Sequence, residues 1–296
     1  MSAVNQAARH ARNLKQLPHV TLISHSIRAA REVPELTVGI EAVEYVQPLD
    51  VKDVSECSFY HVTDLPGVGT VGDTWDLRKT IDDYLGRFDF RGKRVLDVGS
   101  ASGFLTFAME QRGASVVSFD IREGAEWNIV PYSSPKFDRA QLVRQLEWHI
   151  PRIKKAYWLA HRAFGSRAQV YYGDIYDFPA GLGEFDAVNF GMVLPHLRDP
   201  FRAMQSATRL SREWVIATQQ CPPGQDLPVM QFMPNPQTAE DALSWWWISE
   251  SCMELMLAVL GFELVRKVRA EHLCVIRGRS ESCTAFVARR VRPAVG

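Results

Sequence analysis

Three acids, two glycines and a histidine stand at positions in this chain where they could do chemistry together. Asp97 lies inside an apolar run, Val95-Leu96-Asp97-Val98, two residues before Gly99, and Ser100, Ala101, Ser102 and Gly103 complete a loop of small residues. A second apolar run, Ser115 to Phe119, ends in Asp120, twenty-three residues after Asp97. Glycine serves where the chain must turn tightly and let a ligand lie against bare backbone. An acid at a strand tip can accept both hydroxyl protons of a ribose. Two further apolar runs, around Tyr171 and Val188, are followed by Asp174 and by His196, whose ordinary pKa suits it to accept a proton near neutrality. Together these residues read as a nucleotide-binding unit with a base nearby.

The elements that must hold them follow from pattern. Lys93–Val98 predicts a buried parallel strand, Phe104–Gln111 a helix whose amide-bearing start faces the loop, and Ala114–Asp120 a second strand. Gln169–Asp174, Phe185–Phe190 and Trp214–Thr218 continue the βα alternation as three more strands. Asp199 is expected as N-cap and Pro200 as first residue of a helix running to about Leu210, and a helix over Ser249–Leu260 should stop at Gly261. Phe262–Val268 and Ser282–Val291 read as a closing hairpin, and Gly72–Arg78 leads into a helix ending near Leu85.

The acid within the first strand and the loop after it resemble motif I of the class I S-adenosylmethionine (SAM) methyltransferases, apolar-acid-apolar-G-x-G-x-G, with Ala101 in place of the middle glycine. Gly173-Asp174-Ile175 resembles that family's adenine-binding segment, and Phe185-Asp186-Ala-Val-Asn189-Phe-Gly191 resembles its motif IV. The resemblance covers about residues 70–290. It implies an α/β, Rossmann-like sheet of seven strands, one antiparallel near its edge, with helices on both faces. It also implies SAM as cofactor, S-adenosyl-L-homocysteine as product, and no metal. Carried over residue by residue, the cofactor contacts would be Asp97, Gly99, Ser100, Gly103, Asp120, Ile121, Asp174, Ile175 and Asn189. Asp97 could touch the ligand or only the loop amides. Arg78 could pair with the cofactor's methionine carboxylate or with Asp82.

Two segments fall outside the alternating pattern. Residues 121–167 form a long insertion with two helical stretches parted near Pro151, in which basic and aromatic residues alternate. It reads as a cover helix, or as a grip on an anionic or ring-bearing substrate. Residues 221–249, an irregular stretch rich in proline and glutamine followed by Trp245-Trp246-Trp247, are expected to cover the acceptor site. Trp127, Tyr132 and Trp246 are the candidate substrate contacts, and His196 the candidate catalytic base. Residues 1–70 are expected as an N-terminal extension, with a helix over Ala3–Leu17 and extended pieces over Pro34–Pro48, forming a cap or the arm of a homodimer; residues 71–296 would be the catalytic domain.

The chain has 296 residues, 46% hydrophobic, and zero formal net charge, so no global field points to nucleic acid. No apolar run reaches membrane-spanning length, and five scattered cysteines without a C-x-x-C pair read as reduced thiols of a cytoplasmic protein. The function expected is methyl transfer to a small molecule, a hydroxyl of a sugar or specialised metabolite. Two alternatives stand beside it. One is a tRNA-modifying methyl- or carboxymethyltransferase, since His196-Leu-Arg198 resembles the wobble-uridine carboxymethyltransferases, although Pro195 stands where that family has tyrosine. The other is a non-catalytic SAM-binding module.

Overall fold

The computed structural model describes residues 43–294, within a compact unit spanning residues 40–296. The helix expected over Ala3–Leu17, and residues 34–42 of the extended stretch, lie outside the described residues.

A small hairpin of β1 (Thr63–Leu65) and β2 (Gly69–Val71) precedes the short strand β3 (Trp75–Asp76) and the single turn α1 (Ile81–Tyr84). The alternating pattern then runs β4 (Arg94–Val98), α2 (Phe104–Gln111), β5 (Ser115–Ile121), α3 (Arg139–Phe164), β6 (Gln169–Gly173), β7 (Phe185–Gly191), α4 (Pro200–Thr208) and β8 (Ser211–Gln219). After it come β9 (Met230–Phe232), β10 (Trp246–Ile248), α5 (Glu250–Val259), β11 (Phe262–Cys274) and β12 (Arg279–Arg290). The main sheet has the order β3-β11-β12-β8-β7-β4-β5-β6. Its β6, β5, β4, β7 and β8 run parallel, while β12 lies antiparallel between β8 and β11. From β4 the chain winds outward through β5 and β6, then returns to β7 on the other side. Ligands of such sheets bind beyond the carboxyl ends of the strands at that reversal.

Both faces of the sheet are covered, as the period-two alternation of its strands requires. Leu96, Val98, Val117, Phe119, Val188 and Phe190 point to one side, against Ala203 and Met204 of α4 and Met253 and Leu257 of α5. Val95, Val116, Ala187 and Ile216 point to the other, against Leu105 and Met109 of α2 and Leu85. The Asp199 side chain accepts from the Arg202 N–H with Pro200 leading α4, and Ser249 accepts from the Cys252 N–H to start α5.

Several elements differ from the sequence expectation. The sheet has eight strands, because β3 adds to the edge through Trp75 opposite Cys274. Two residues are too short a run to show a strand pattern, and the helix expected up to Leu85 shrinks to one turn. The closing hairpin is longer at its turn end than its apolar stretches suggested. The insertion is one helix of 26 residues, not two, with Pro151 inside it. Proline removes one N–H, leaving the Glu147 carbonyl without its helical partner, but both residues are exposed and water can serve that oxygen. The buried run Ala156–Ala160 docks against Phe107 and Val170, and also against Val51, Phe59 and Leu65, so packing holds the helix through its proline. The segment 221–249 contains the ribbon of β9 and β10. No helix among the described residues is long and apolar enough to cross a membrane.

Candidate active site

The loop after β4 is closed by its own hydrogen bonds. Gly99 N–H and Ser100 N–H both donate to the Phe119 carbonyl, at 2.9 and 3.0 Å, and Gly103 N–H donates to Ser100 O at 2.8 Å. Gly99 (φ +82°) and Gly103 (φ +87°) take left-handed conformations, and a Cβ on Gly103 would run into the rings of Phe107 and Tyr157. Ala101 is also left-handed, at φ +46°, where the family pattern has glycine. Its N–H donates to Asp120 Oδ2 at 2.7 Å, while Asp120 Oδ1 accepts from Ile121 N–H at 2.7 Å. Each carboxylate oxygen keeps a lone pair for a ligand. Burial pushes the Asp120 pKa up, opposed by these two amides and by the nearby Lys154 ammonium.

Beneath the loop lies a closed polar chain. Asp97 is fully buried; Oδ2 accepts from Thr106 Oγ1 at 2.6 Å and Oδ1 from Asn189 Nδ2 at 2.9 Å. Thr106 Oγ1 lies 2.8 Å from Ser118 Oγ, and Ser118 Oγ 2.8 Å from Tyr157 Oη. Because Asp97 can only accept when ionised, the hydroxyls donate in one direction, Tyr157 to Ser118 to Thr106 to Asp97. Five elements meet here: α3, β5, α2, β4 and β7. Burial raises the Asp97 pKa to about 6 despite the two hydrogen bonds.

Above the carboxyl ends of β4 to β7 is a cavity of about 950 Å³. Gly99, Asp120, Ile121, Asp174, Ile175, Trp127 and His196 line it, so these expected residues come together. The Asp174 carboxylate accepts from Tyr176 N–H at 2.9 Å, leaving its other oxygen open. Asp97, Ser100, Gly103 and Asn189 lie behind the lining and shape the loop. Arg78 does not pair with Asp82 and is outside the lining. Its guanidinium is held by Asp76 and Asp64, both at 2.7 Å, and Asp82 pairs with Arg112 instead. Tyr132 and Trp246 are also outside the lining: Tyr132 Oη donates to Asp241 O, and Trp246 packs on Phe232 with its Nε1–H on Arg198 O.

His196 ends a short 3-10 turn, Leu194–His196, and its Nδ1 lies 2.9 Å from the Leu243 carbonyl. A carbonyl only accepts, so Nδ1 carries the proton and Nε2 of the neutral ring keeps its lone pair. Leu243 belongs to the covering segment, which thereby sets the tautomer of a residue on the β7–α4 loop.

Two residues of the site gave no signal in the sequence. Asn128 joins three loops at the rim: Oδ1 accepts from Tyr176 Oη at 2.8 Å and Arg198 N–H at 3.1 Å, and its carbonyl accepts from Trp245 Nε1–H at 2.6 Å. His61, from the segment before β1, is a buried wall of the cavity together with Tyr60, Trp75 and Tyr84. Both roles arise from contacts between distant parts of the chain, which no local spacing encodes.

A family model described as a methyltransferase domain matches residues 75–279. No curated protein matches the chain. Similar solved structures include a 1,6-didemethyltoxoflavin-N1-methyltransferase of Burkholderia thailandensis with bound 1,6-didemethyltoxoflavin and S-adenosylhomocysteine, 16% identical, covering 72% of this chain and 78% of that one, with a TM-score of 0.47. The magnesium protoporphyrin IX methyltransferase of Synechocystis with bound SAM is 15% identical, covering 72% and 77%, TM-score 0.45. A putative methyltransferase of Bacillus halodurans is 17% identical, covering 73% and 99%, TM-score 0.49. With the family model spanning β3 to β11 and the glycine loop, the chain belongs to the methyltransferase-domain family, as a class I SAM-dependent methyltransferase.

Proposed function

We propose that the protein methylates a hydroxyl of a small molecule, a sugar or specialised metabolite, with His196 as the base. The observation that supports this reading is the Nδ1 hydrogen bond from His196, a cavity-lining residue, to Leu243 O, which in the neutral ring reserves Nε2 as the proton acceptor. A hydroxyl is a weak nucleophile and needs its proton removed as the new bond forms. An amine or thiolate acceptor would need no such group.

The residues present suit the cofactor. Asp120 offers two oxygens with spare lone pairs at the end of β5, where a ribose diol would bind. Asp174 and Ile175 stand at the end of β6 for the adenine amine and ring nitrogen. Bound SAM supplies an electrophilic methyl group on a sulfonium. The protein's part is to hold the acceptor on the axis of displacement, keep water out and take up the acceptor's proton at His196 Nε2. A cavity of about 950 Å³ lies near the top of the usual range of roughly 300–1,000 Å³ for small-molecule sites, enough for a cofactor and a modest acceptor. Trp127, Leu146, Ile150 and Ile153 give it an apolar wall.

The test is to incubate the protein with methyl-labelled SAM and a panel of hydroxylated sugars and metabolites, with bulk tRNA in parallel. Label should enter a small molecule, and His196→Ala should lower turnover at least hundredfold with SAM affinity nearly unchanged. Near-normal turnover by His196→Ala would remove the histidine from the mechanism, and label in tRNA alone would replace the small-molecule reading.

A further inference from the structure

Arg78 is held by two aspartates outside the cavity lining, and the residue that lines the cavity on this side is His61. We propose that His61 holds the cofactor's amino-acid carboxylate as a hydrogen-bond donor. This rests on the cofactor placement above, with adenosine at the ends of β5 and β6. The rest of the ligand must then cross the glycine loop toward β7, and the cavity walls there are Gly99, Ala101, Gly191, Met192 and the ring of His61.

Three observations converge on this side chain. First, His61 is 7% exposed, yet Nδ1 is enclosed without a hydrogen-bond partner, and Nε2 has none among the described residues. Nδ1 is too enclosed for a ligand to reach, so a ligand would meet the ring at Nε2 and give this buried imidazole its one polar partner. Second, the ring is fixed in place. It stacks on Phe104, the first residue of α2, at 5.3 Å, and meets Tyr60 edge-on at 5.0 Å. Its segment is tied to the glycine loop by Tyr60 N–H on Ser102 Oγ at 3.1 Å, and to β3 by Val62 N–H on Trp75 O at 2.8 Å.

Third, the glycine loop has few amides left to offer a carboxylate. Those of Gly99 and Ser100 go to Phe119 O, that of Ala101 to Asp120, and that of Gly103 to Ser100 O. Burial drives the His61 pKa down to about 3, so the ring is neutral before a ligand binds. A hydrogen bond from Nε2–H would hold the carboxylate. His61 is thus a positioning residue for methyl transfer, acting by fixing one end of the donor.

Calorimetric titration with S-adenosylhomocysteine and with 5′-methylthioadenosine, which keeps the adenosine and thioether but lacks the amino-acid end, tests the assignment. His61→Ala should weaken S-adenosylhomocysteine binding roughly tenfold or more while methylthioadenosine binds as in wild type, and His61→Asn should recover part of the loss. Equal loss for both ligands would overturn the proposal in favour of a purely structural histidine, and no loss for either would overturn it outright. If the wild-type protein bound neither ligand, the cofactor placement would fail, which is a different result from either of these.

Discussion

At the scale of single residues, the carboxylates of the site are distinguished by what surrounds them. Asp97 is sealed among hydroxyls and an amide, and its proton is held more tightly in the folded protein than in the unfolded chain. Its stabilising contribution is therefore full below about pH 3.8 and is lost as pH rises through about 6. Asp97→Asn should remove that dependence. In urea unfolding, the variant's stability relative to wild type should rise between pH 4 and 7, by up to about 3 kcal/mol. A constant difference would mean that Asp97 keeps its ordinary affinity for a proton. Asp120 is different because its oxygens face the cavity. Asp120→Ala should weaken SAM binding at least tenfold in calorimetry while changing unfolding stability much less, and unchanged affinity would refute the ribose assignment. Ala101 holds a backbone conformation that costs alanine about 1 kcal/mol. Ala101→Gly should leave the melting temperature equal or slightly higher, since relief of strain offsets the extra freedom of the unfolded chain.

At the scale of elements, long helix α3 and the rim loops decide how firmly the site is held. Pro151 is exposed in the middle of α3, so Pro151→Ala restores one hydrogen bond and should stabilise the protein by about 1–3 kcal/mol in chemical unfolding. Asn128→Ala would leave Tyr176 Oη and Arg198 N–H without their acceptor. It should speed hydrogen exchange at residues 196–199 and raise the KM for the acceptor more than that for SAM. The strands β4 to β8 were legible in the sequence because each is a continuous apolar run bounded by glycine, proline or acid. The glycine loop, Asp120 and Asp174 were legible because local spacing alone places them at strand ends. Arg78 was not, because its partner Asp64 lies fourteen residues back on a hairpin that shows no apolar pattern. The unbroken α3 was hidden for a similar reason: local propensity breaks a helix at proline, and only the docking of Ala156–Ala160 overrides it. Trp246 was not placed by spacing, because three successive tryptophans point in different directions, and none of the three lines the cavity.

At the scale of the whole molecule, the sheet gathers the ends of four parallel strands and the cover gathers three distant segments over them. The turn before β1 brings His61 and Tyr60, α3 brings Leu146 to Ile153, and the segment after β8 brings Leu243. The proposed adenosine contacts stand at sheet termini, which the family pattern describes. The remaining walls come from insertions and the segment before β1, which it does not, so the proposed acceptor class rests on the chemistry of His196. The most direct measurement is calorimetric titration of the purified protein, stripped of copurified ligand, with SAM and with carboxy-SAM. The account predicts one SAM bound per chain, with carboxy-SAM at least tenfold weaker. Preference for carboxy-SAM, or binding of neither, would contradict it.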